Sequence, residues 1–118
     1  MKKILICEDE MDVRESIKNI LTQREFEVYT AVDGKEAIDK AAEVKPDLIL
    51  LDIRMPKIDG LEVAKEVRKT DTNAKIIFIT AFQSPQLFKE ATKYNIFDYI
   101  VKPILPKVIL EAVEKALK

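Results

Sequence analysis

The chain has 118 residues, 20 Lys and Arg against 21 Asp and Glu, and a formal net charge of −1. That length supports one domain, spanning residues 1–118, that buries about 65% of the surface its unfolded form exposes, and the balanced charge excludes nucleic-acid binding through a bulk basic face. No histidine, one cysteine and two glycines exclude imidazole catalysis, zinc sites, P-loops and dinucleotide fingerprints. Cys7 has no partner for an internal disulfide, no signal-peptide pattern follows Met1-Lys2-Lys3, and no apolar run nears the ~20 residues that span a bilayer. The expectation is a soluble, cytoplasmic protein with no membrane or nucleic-acid partner.

Lys3 to Cys7 is a short apolar run, a strand that stops abruptly at Glu8-Asp9-Glu10. Val13, Ile17, Ile20 and Leu21 then recur at helical spacing and predict a helix from Met11 to Gln23. Phe26 to Val32 predicts a second, more polar strand suited to a sheet edge, followed by Asp33-Gly34 and a helix that turns Ala37, Ile38, Ala41 and Ala42 inward. After Pro46-Asp47, the four aliphatic residues Leu48 to Leu51 read as a strand buried on both faces at the centre of a parallel sheet. This strand ends in Asp52, which suits a turn or a helix cap as well as it suits chemistry at the carboxyl edge of the sheet.

Past Met55-Pro56 and Asp59-Gly60, Leu61, Val63, Ala64 and Val67 mark a third helix, and Lys75 to Thr80 a fourth strand that again ends in a polar side chain. Ser84-Pro85 predicts a helix start with Ser as N-cap and Pro at the first position. Leu87, Phe88 and Ala91 share one face of this helix, and Asn95 ends it in a left-handed position. Tyr99 to Val101 is a fifth strand closing at Lys102-Pro103, and Ile109, Ala112, Val113, Ala116 and Leu117 give a last helix with Pro106 near its first turn. The whole reads as five strand–helix units, an α/β doubly wound sheet without linker or repeat.

Right-handed crossovers place all carboxyl ends of the strands on one edge. If the first, third, fourth and fifth strands are near one another, Glu8, Asp9, Asp52, Thr80 and Lys102 converge there. Two like charges ~4 Å apart repel by about 4 kcal/mol at an effective dielectric near 20, so three carboxylates in one crevice either take up protons or hold a cation. Oxygen ligands without His or Cys favour Mg²⁺ or Mn²⁺. Thr80 and Lys102 add the donors a phosphoryl group requires.

From Lys3 to Lys118 the sequence resembles the receiver domains of bacterial two-component response regulators, the single-domain regulators of chemotaxis and sporulation phosphorelays among them. The resemblance lies in Glu8-Asp9, in Asp52-Ile53-Arg54-Met55-Pro56 with Asp59-Gly60, in Thr80-Ala81, and in Tyr99-Ile100-Val101-Lys102-Pro103. It implies the flavodoxin-like sheet order 2-1-3-4-5 and Asp52 as phosphoacceptor. It implies Mg²⁺ on Asp9, Asp52 and the Arg54 main-chain carbonyl, with Glu8 acting through water. Thr80 and Lys102 would contact the phosphoryl oxygens, Tyr99 would be the rotating aromatic, and the Lys102-Pro103 bond would be cis. The implied protein is a signalling phosphoacceptor, a monomer or weak dimer, that catalyses only its own phosphorylation and dephosphorylation. Its donor would be a sensor histidine kinase or histidine phosphotransfer protein, and its downstream target would dock on the fourth helix, fifth strand and fifth helix.

Three departures stand out: Glu8 replaces the commoner first Asp, Asn95-Ile96 stands where Gly-Ala is usual, and Arg54 and Phe82 are both bulky where side chains control water access to the phosphoryl group. Besides a binding module that acts without phosphorylation, which the intact acidic crevice argues against, two other readings compete. One is the receiver of a larger DNA-binding regulator. The other is a Mg²⁺-dependent phosphatase with an aspartyl nucleophile, as in the haloacid-dehalogenase family, which places a second Asp where this chain has Arg54.

Overall fold

A computed structural model describes residues 1–81 and 84–118. Its strands are β1 (Lys2–Cys7), β2 (Phe26–Ala31), β3 (Leu48–Asp52), β4 (Lys75–Thr80) and β5 (Asp98–Val101). All pair in parallel, in the order β2-β1-β3-β4-β5. The apolar runs are continuous because a strand side chain alternates between faces and both faces are covered. Ile4, Ile6, Leu48, Leu50, Ile77 and Ile79 point to a layer shared with α1 (Met11–Thr22) and α5 (Pro106–Ala116). Leu5, Cys7, Ile49, Leu51, Ile76 and Phe78 point to the opposite layer, which holds α2 (Gly34–Val44), α3 (Gly60–Thr70) and α4 (Pro85–Ala91). Cys7 is one of the small apolar groups of that second layer, and burial raises its thiol far above the ordinary range, so it packs and does not react.

Local chemistry sets the helix starts. Asp33 Oδ1 accepts from the Glu36 amide at 2.8 Å, Asp59 Oδ1 from the Glu62 amide at 3.0 Å, and Ser84 Oγ from the Leu87 amide at 3.3 Å. Each such cap stabilises its helix by about 1 kcal/mol. Pro85 and Pro106 open α4 and α5, where a missing N–H costs nothing.

Several expected boundaries move. Helix α1 ends at Thr22 and β2 at Ala31, one residue earlier than the periodicity suggests, and β5 begins one residue earlier, at Asp98. Ala42 is exposed, because the buried stripe of α2 runs through Gly34, Ala37 and Ala41, and Ala42 lies a further 100° around the helix. Helix α4 stops at Ala91 rather than Asn95, and a 3₁₀ turn covers Thr92–Tyr94. Asn95 does take the left-handed conformation, φ 56 and ψ 60. The early end has a tertiary cause: Arg68 donates to the carbonyls of Tyr94 at 2.7 Å and Asn95 at 3.0 Å. Among the described residues no helix is long and apolar enough to cross a membrane.

A carboxylate at the opposite edge knits the sheet. The Lys3 amide donates to Asp47 Oδ2 at 2.8 Å, the Asp47 amide to the Lys3 carbonyl at 2.8 Å, and the Lys75 amide to the Asp47 carbonyl at 2.9 Å. Asp47 thereby joins β1, β3 and β4 just ahead of the central strand and fixes the register that aligns their carboxyl ends. Between β1 and β3 the chain reverses its winding direction, and at such a switch point the loops diverge and leave a crevice.

Candidate functional site

The register determines what meets at that crevice. Cys7 pairs with Ala31 and Leu51, so Glu8 and Asp9 follow directly at the carboxyl end of β1, beside Asp52 at the end of β3. Asp52 pairs with Ile79, and Thr80 pairs with Val101. Thr80 is therefore one step further along β4, and Lys102 is the first residue past β5. The Lys102 amide donates to the Thr80 carbonyl at 2.8 Å, which extends the ladder and aims the lysine back across the sheet.

Its ammonium is the electrostatic centre of the group. Lys102 Nζ lies 3.0 Å from Asp52 Oδ2, 3.0 Å from Glu8 Oε1 and 3.6 Å from Glu10 Oε1. Asp52 is 3% exposed, and its other oxygen, Oδ1, accepts from the Arg54 amide at 3.0 Å. Glu8 is fully buried, with Oε2 accepting from the Glu10 amide at 3.1 Å, whereas Asp9 is exposed. Arg14 holds the main chain of the acidic pair by donating to the carbonyl of Glu8 at 3.0 Å and of Asp9 at 3.4 Å.

Protonation follows from the crowding. Burial first, then the neighbouring Asp52, raises the Glu8 carboxyl to about 7, against the opposing pull of the Glu10 amide and Lys102. Burial alone would lower the Lys102 ammonium, but close contact with the carboxylates of Asp52 first and then Glu8, and their charge, outweigh it and raise it above the usual range. Among the described residues Glu8 Oε1 is the buried side-chain atom without a hydrogen bond of good geometry, its contact with Lys102 being an ion contact.

One oxygen from each of Glu8, Asp9 and Asp52 lies within 4.8 Å of the others. Three hard oxygen donors, one of them buried and short of a partner, fit a small divalent cation such as Mg²⁺. One ammonium does not neutralise three carboxylates.

The expected residues thus come together unevenly. Glu8, Asp9, Asp52 and Lys102 form one group, with Thr80, 3% exposed, at the end of the adjacent strand. Arg54 is exposed on its side-chain side and joined to the group by its amide. Tyr99 is half-buried away from the acids, with its ring centroid 4.4 Å from that of Phe88 on α4 and 6.0 Å from that of Phe78 on β4. The Lys102-Pro103 bond is cis. Phe82 lies outside the described residues. Sequence reasoning missed Glu10 and Arg14. Arg14 had a usable signal, since a residue one helical turn past an N-cap at Glu10 faces back to the strand end.

A doubly wound parallel sheet with three carboxylates and one ammonium at its switch point defines a flavodoxin-like α/β protein with a cation-competent acidic crevice. Comparison with known proteins narrows the class. Residues 4–114 match the family model of the response regulator receiver domain, and the chain belongs to that family. It is 44% identical to the chemotaxis protein CheY of Listeria monocytogenes over 119 residues, covering 100% of both chains. It is 29% identical to sporulation initiation phosphotransferase F of Bacillus subtilis over 116 residues, covering 98% of this chain and 94% of that protein. A CheX-CheY-BeF3-Mg complex from Borrelia burgdorferi superposes with a TM-score of 0.93 at 31% identity, covering 99% of this chain and 90% of that one. The protein is a receiver domain of CheY type, from the class that works in two-component phosphorelay signalling.

Proposed function

We propose that residues 1–118 form one receiver domain that accepts a phosphoryl group on Asp52 from phosphohistidine on a sensor histidine kinase or phosphotransfer protein. The observation that carries this reading is Asp52 itself, a carboxylate at the end of the most buried strand with Lys102 Nζ at 3.0 Å and two further acids beside it. An Asp52 oxygen lone pair forms the new O–P bond while the P–N bond to the donor imidazole breaks, its electron pair leaving with the imidazole. The donor imidazole lies outside residues 1–118, which contain no histidine. The Arg54 amide orients the Asp52 carboxylate, and Lys102 offsets the charge on the phosphoryl oxygens. Glu8, Asp9, Asp52 and the Arg54 main-chain carbonyl would hold Mg²⁺ or Mn²⁺, which supplies further neutralisation of those oxygens.

Thr80 would contact a phosphoryl oxygen from the end of β4, and the resulting change in its position would shift the balance between two placements of Tyr99 against Phe88. Beyond Tyr99, the exposed apolar side chains of Phe97, Val101, Leu105 and Val108 lie along β5 and the start of α5 and support a downstream protein docking on the face these elements form with α4. The chain then signals through that face or passes the phosphoryl group on. The Borrelia relative's complex with beryllofluoride and Mg supports both the acceptor and the metal.

Incubation with acetyl phosphate and Mg²⁺ tests the reading. A single added phosphoryl group, lost to hydroxylamine as an acyl phosphate is, is expected. A label resistant to hydroxylamine, or labelling unaffected by chelation of all divalent metal, would overturn it. Lifetime is a second readout: with the long Arg54 side chain replaced by Asn, water gains access and the label should decay about tenfold faster without arriving more slowly. A longer-lived label in Arg54→Asn would reverse that assignment.

A further inference from the structure

The chain has two glycines, and both press on the same loop, residues 53–59 between β3 and α3. Gly60 closes the loop on itself: its amide donates to the Ile53 carbonyl at 2.8 Å, and a Cβ there would stand 2.7 Å from the Asp52 carbonyl oxygen and 2.7 Å from Ile53 Cα. Gly34 comes from elsewhere, the first residue of α2. A Cβ on it would stand 2.1 Å from the Ile58 carbonyl oxygen, 2.6 Å from Ile58 Cβ and 2.8 Å from Ile58 C. Gly34 does not have a positive φ, so its conformation suits any residue, and close approach alone is what demands glycine. The atoms in the way are mostly main chain, which cannot swing aside as a side chain does.

The residue before it grips the same loop. Asp33 caps α2 through Oδ1 and meets Lys57 Nζ with Oδ2 at 3.3 Å. Lys57 has φ 71, and the Ile58 amide donates to the Pro56 carbonyl at 2.8 Å, an i to i+2 turn of the strained hand. Such a turn persists only where its surroundings hold it. The start of α2 supplies that hold at two consecutive loop residues, Lys57 and Ile58. The other end of the loop reaches the acids, since the Arg54 amide bonds Asp52 Oδ1 at 3.0 Å.

We propose that Gly34, assisted by the Asp33–Lys57 pair, is a positioning site for the acidic crevice: the start of α2 holds the β3–α3 loop so that the Arg54 main chain orients Asp52. The inference rests on the functional reading above for its consequence, not for its geometry. In Gly34→Ala, Ile58 is pushed outward and the displacement runs along the loop to Arg54. Loss of an outer support of this kind lowers metal affinity by about tenfold.

Three variants are compared by Mn²⁺ titration, by the amide resonances of Arg54 and Gly60 in metal-free protein, and by thermal midpoint. Gly34→Ala should shift both resonances and bind Mn²⁺ about tenfold more weakly. Asp33→Asn, which keeps the cap and removes the ion pair, should move the same resonances less and weaken Mn²⁺ about twofold, as for a partly exposed pair. Asp39→Gly lies on an exposed turn of the same helix and should lower the thermal midpoint with wild-type Mn²⁺ affinity and unmoved resonances. Unchanged resonances in a folded Gly34→Ala would overturn the inference, as would equal loss of affinity in Asp39→Gly. If Gly34→Ala does not fold, unmoved resonances in Asp33→Asn overturn it. Wild-type protein that fails to bind Mn²⁺ would instead sink the functional reading, with the resonance shifts still deciding the positioning role.

Discussion

Asp52→Asn should fold like wild type and take no label from acetyl phosphate or from a phosphohistidine donor. Asparagine keeps the size of the side chain, and its carbonyl oxygen still accepts from the Arg54 amide that Asp52 Oδ1 now holds at 3.0 Å. Lys102 keeps Glu8 at 3.0 Å and Glu10 at 3.6 Å, so the variant does not strand a buried cation. It loses the anionic oxygen that the proposed function assigns to attack on phosphorus. Labelling should fall by more than about a thousandfold, as removal of a nucleophile does. Glu8 should become easier to ionise, since one of the groups holding its carboxyl up is Asp52. Labelling at the wild-type rate would move the acceptor elsewhere, and a phosphorylated peptide containing Asp9 would say where.

The sheet was legible because its three central strands are buried on both faces. A run such as Leu48 to Leu51 has no polar side to hide, so Asp52 stands out as the residue that cannot belong to the core and must lie at an edge. The same contrast marks Glu8 and Thr80, and Lys102 closes the shorter, less buried run of β5, which is why four strand ends already suggested one crevice. Which member of the acidic pair is buried was not legible. The answer depends on Glu8 donating its amide to the Ala31 carbonyl at 3.1 Å, a register fact about a strand 23 residues away.

Two further features that the sequence does not reveal share one physical form, a side chain bonding main chain far off in sequence. Asp47 fastens Lys3, and Arg68 fastens Tyr94 and Asn95. Periodicity reports which face of an element is apolar and carries no trace of such bonds. Helix α4 shows the consequence. Leu87, Phe88 and Ala91 continue a helical pattern toward Asn95, but Arg68 offers the turn carbonyls a partner that a regular helix end lacks, and the chain tightens into a 3₁₀ turn. Gly34 was legible only as a helix start; its contact with Ile58 needs two loops seen side by side.

Replacing Lys102 by Met should separate two roles of the same ammonium. Methionine keeps most of the apolar stem and removes the charge. In metal-free protein the change leaves Glu8 and Asp52, both almost wholly buried, without their shared cation, and breaking one side of a buried pair commonly costs about 3–5 kcal/mol. The loss should be smaller here, because Glu8 already holds its proton up to about 7 and becomes neutral more readily once Lys102 is gone. The thermal midpoint should therefore fall, and Mg²⁺ should restore most of it, since a cation among three carboxylates replaces the missing charge. Labelling should not recover with it. On the proposed function the phosphoryl oxygens would lose a fixed charged donor contributing about 1.5–3 kcal/mol, a rate lower by about ten- to a hundredfold even at saturating Mg²⁺. Recovery of both stability and rate with Mg²⁺ would show Lys102 to be only a counter-ion for the acids. Recovery of neither would place the cation site away from Glu8, Asp9 and Asp52.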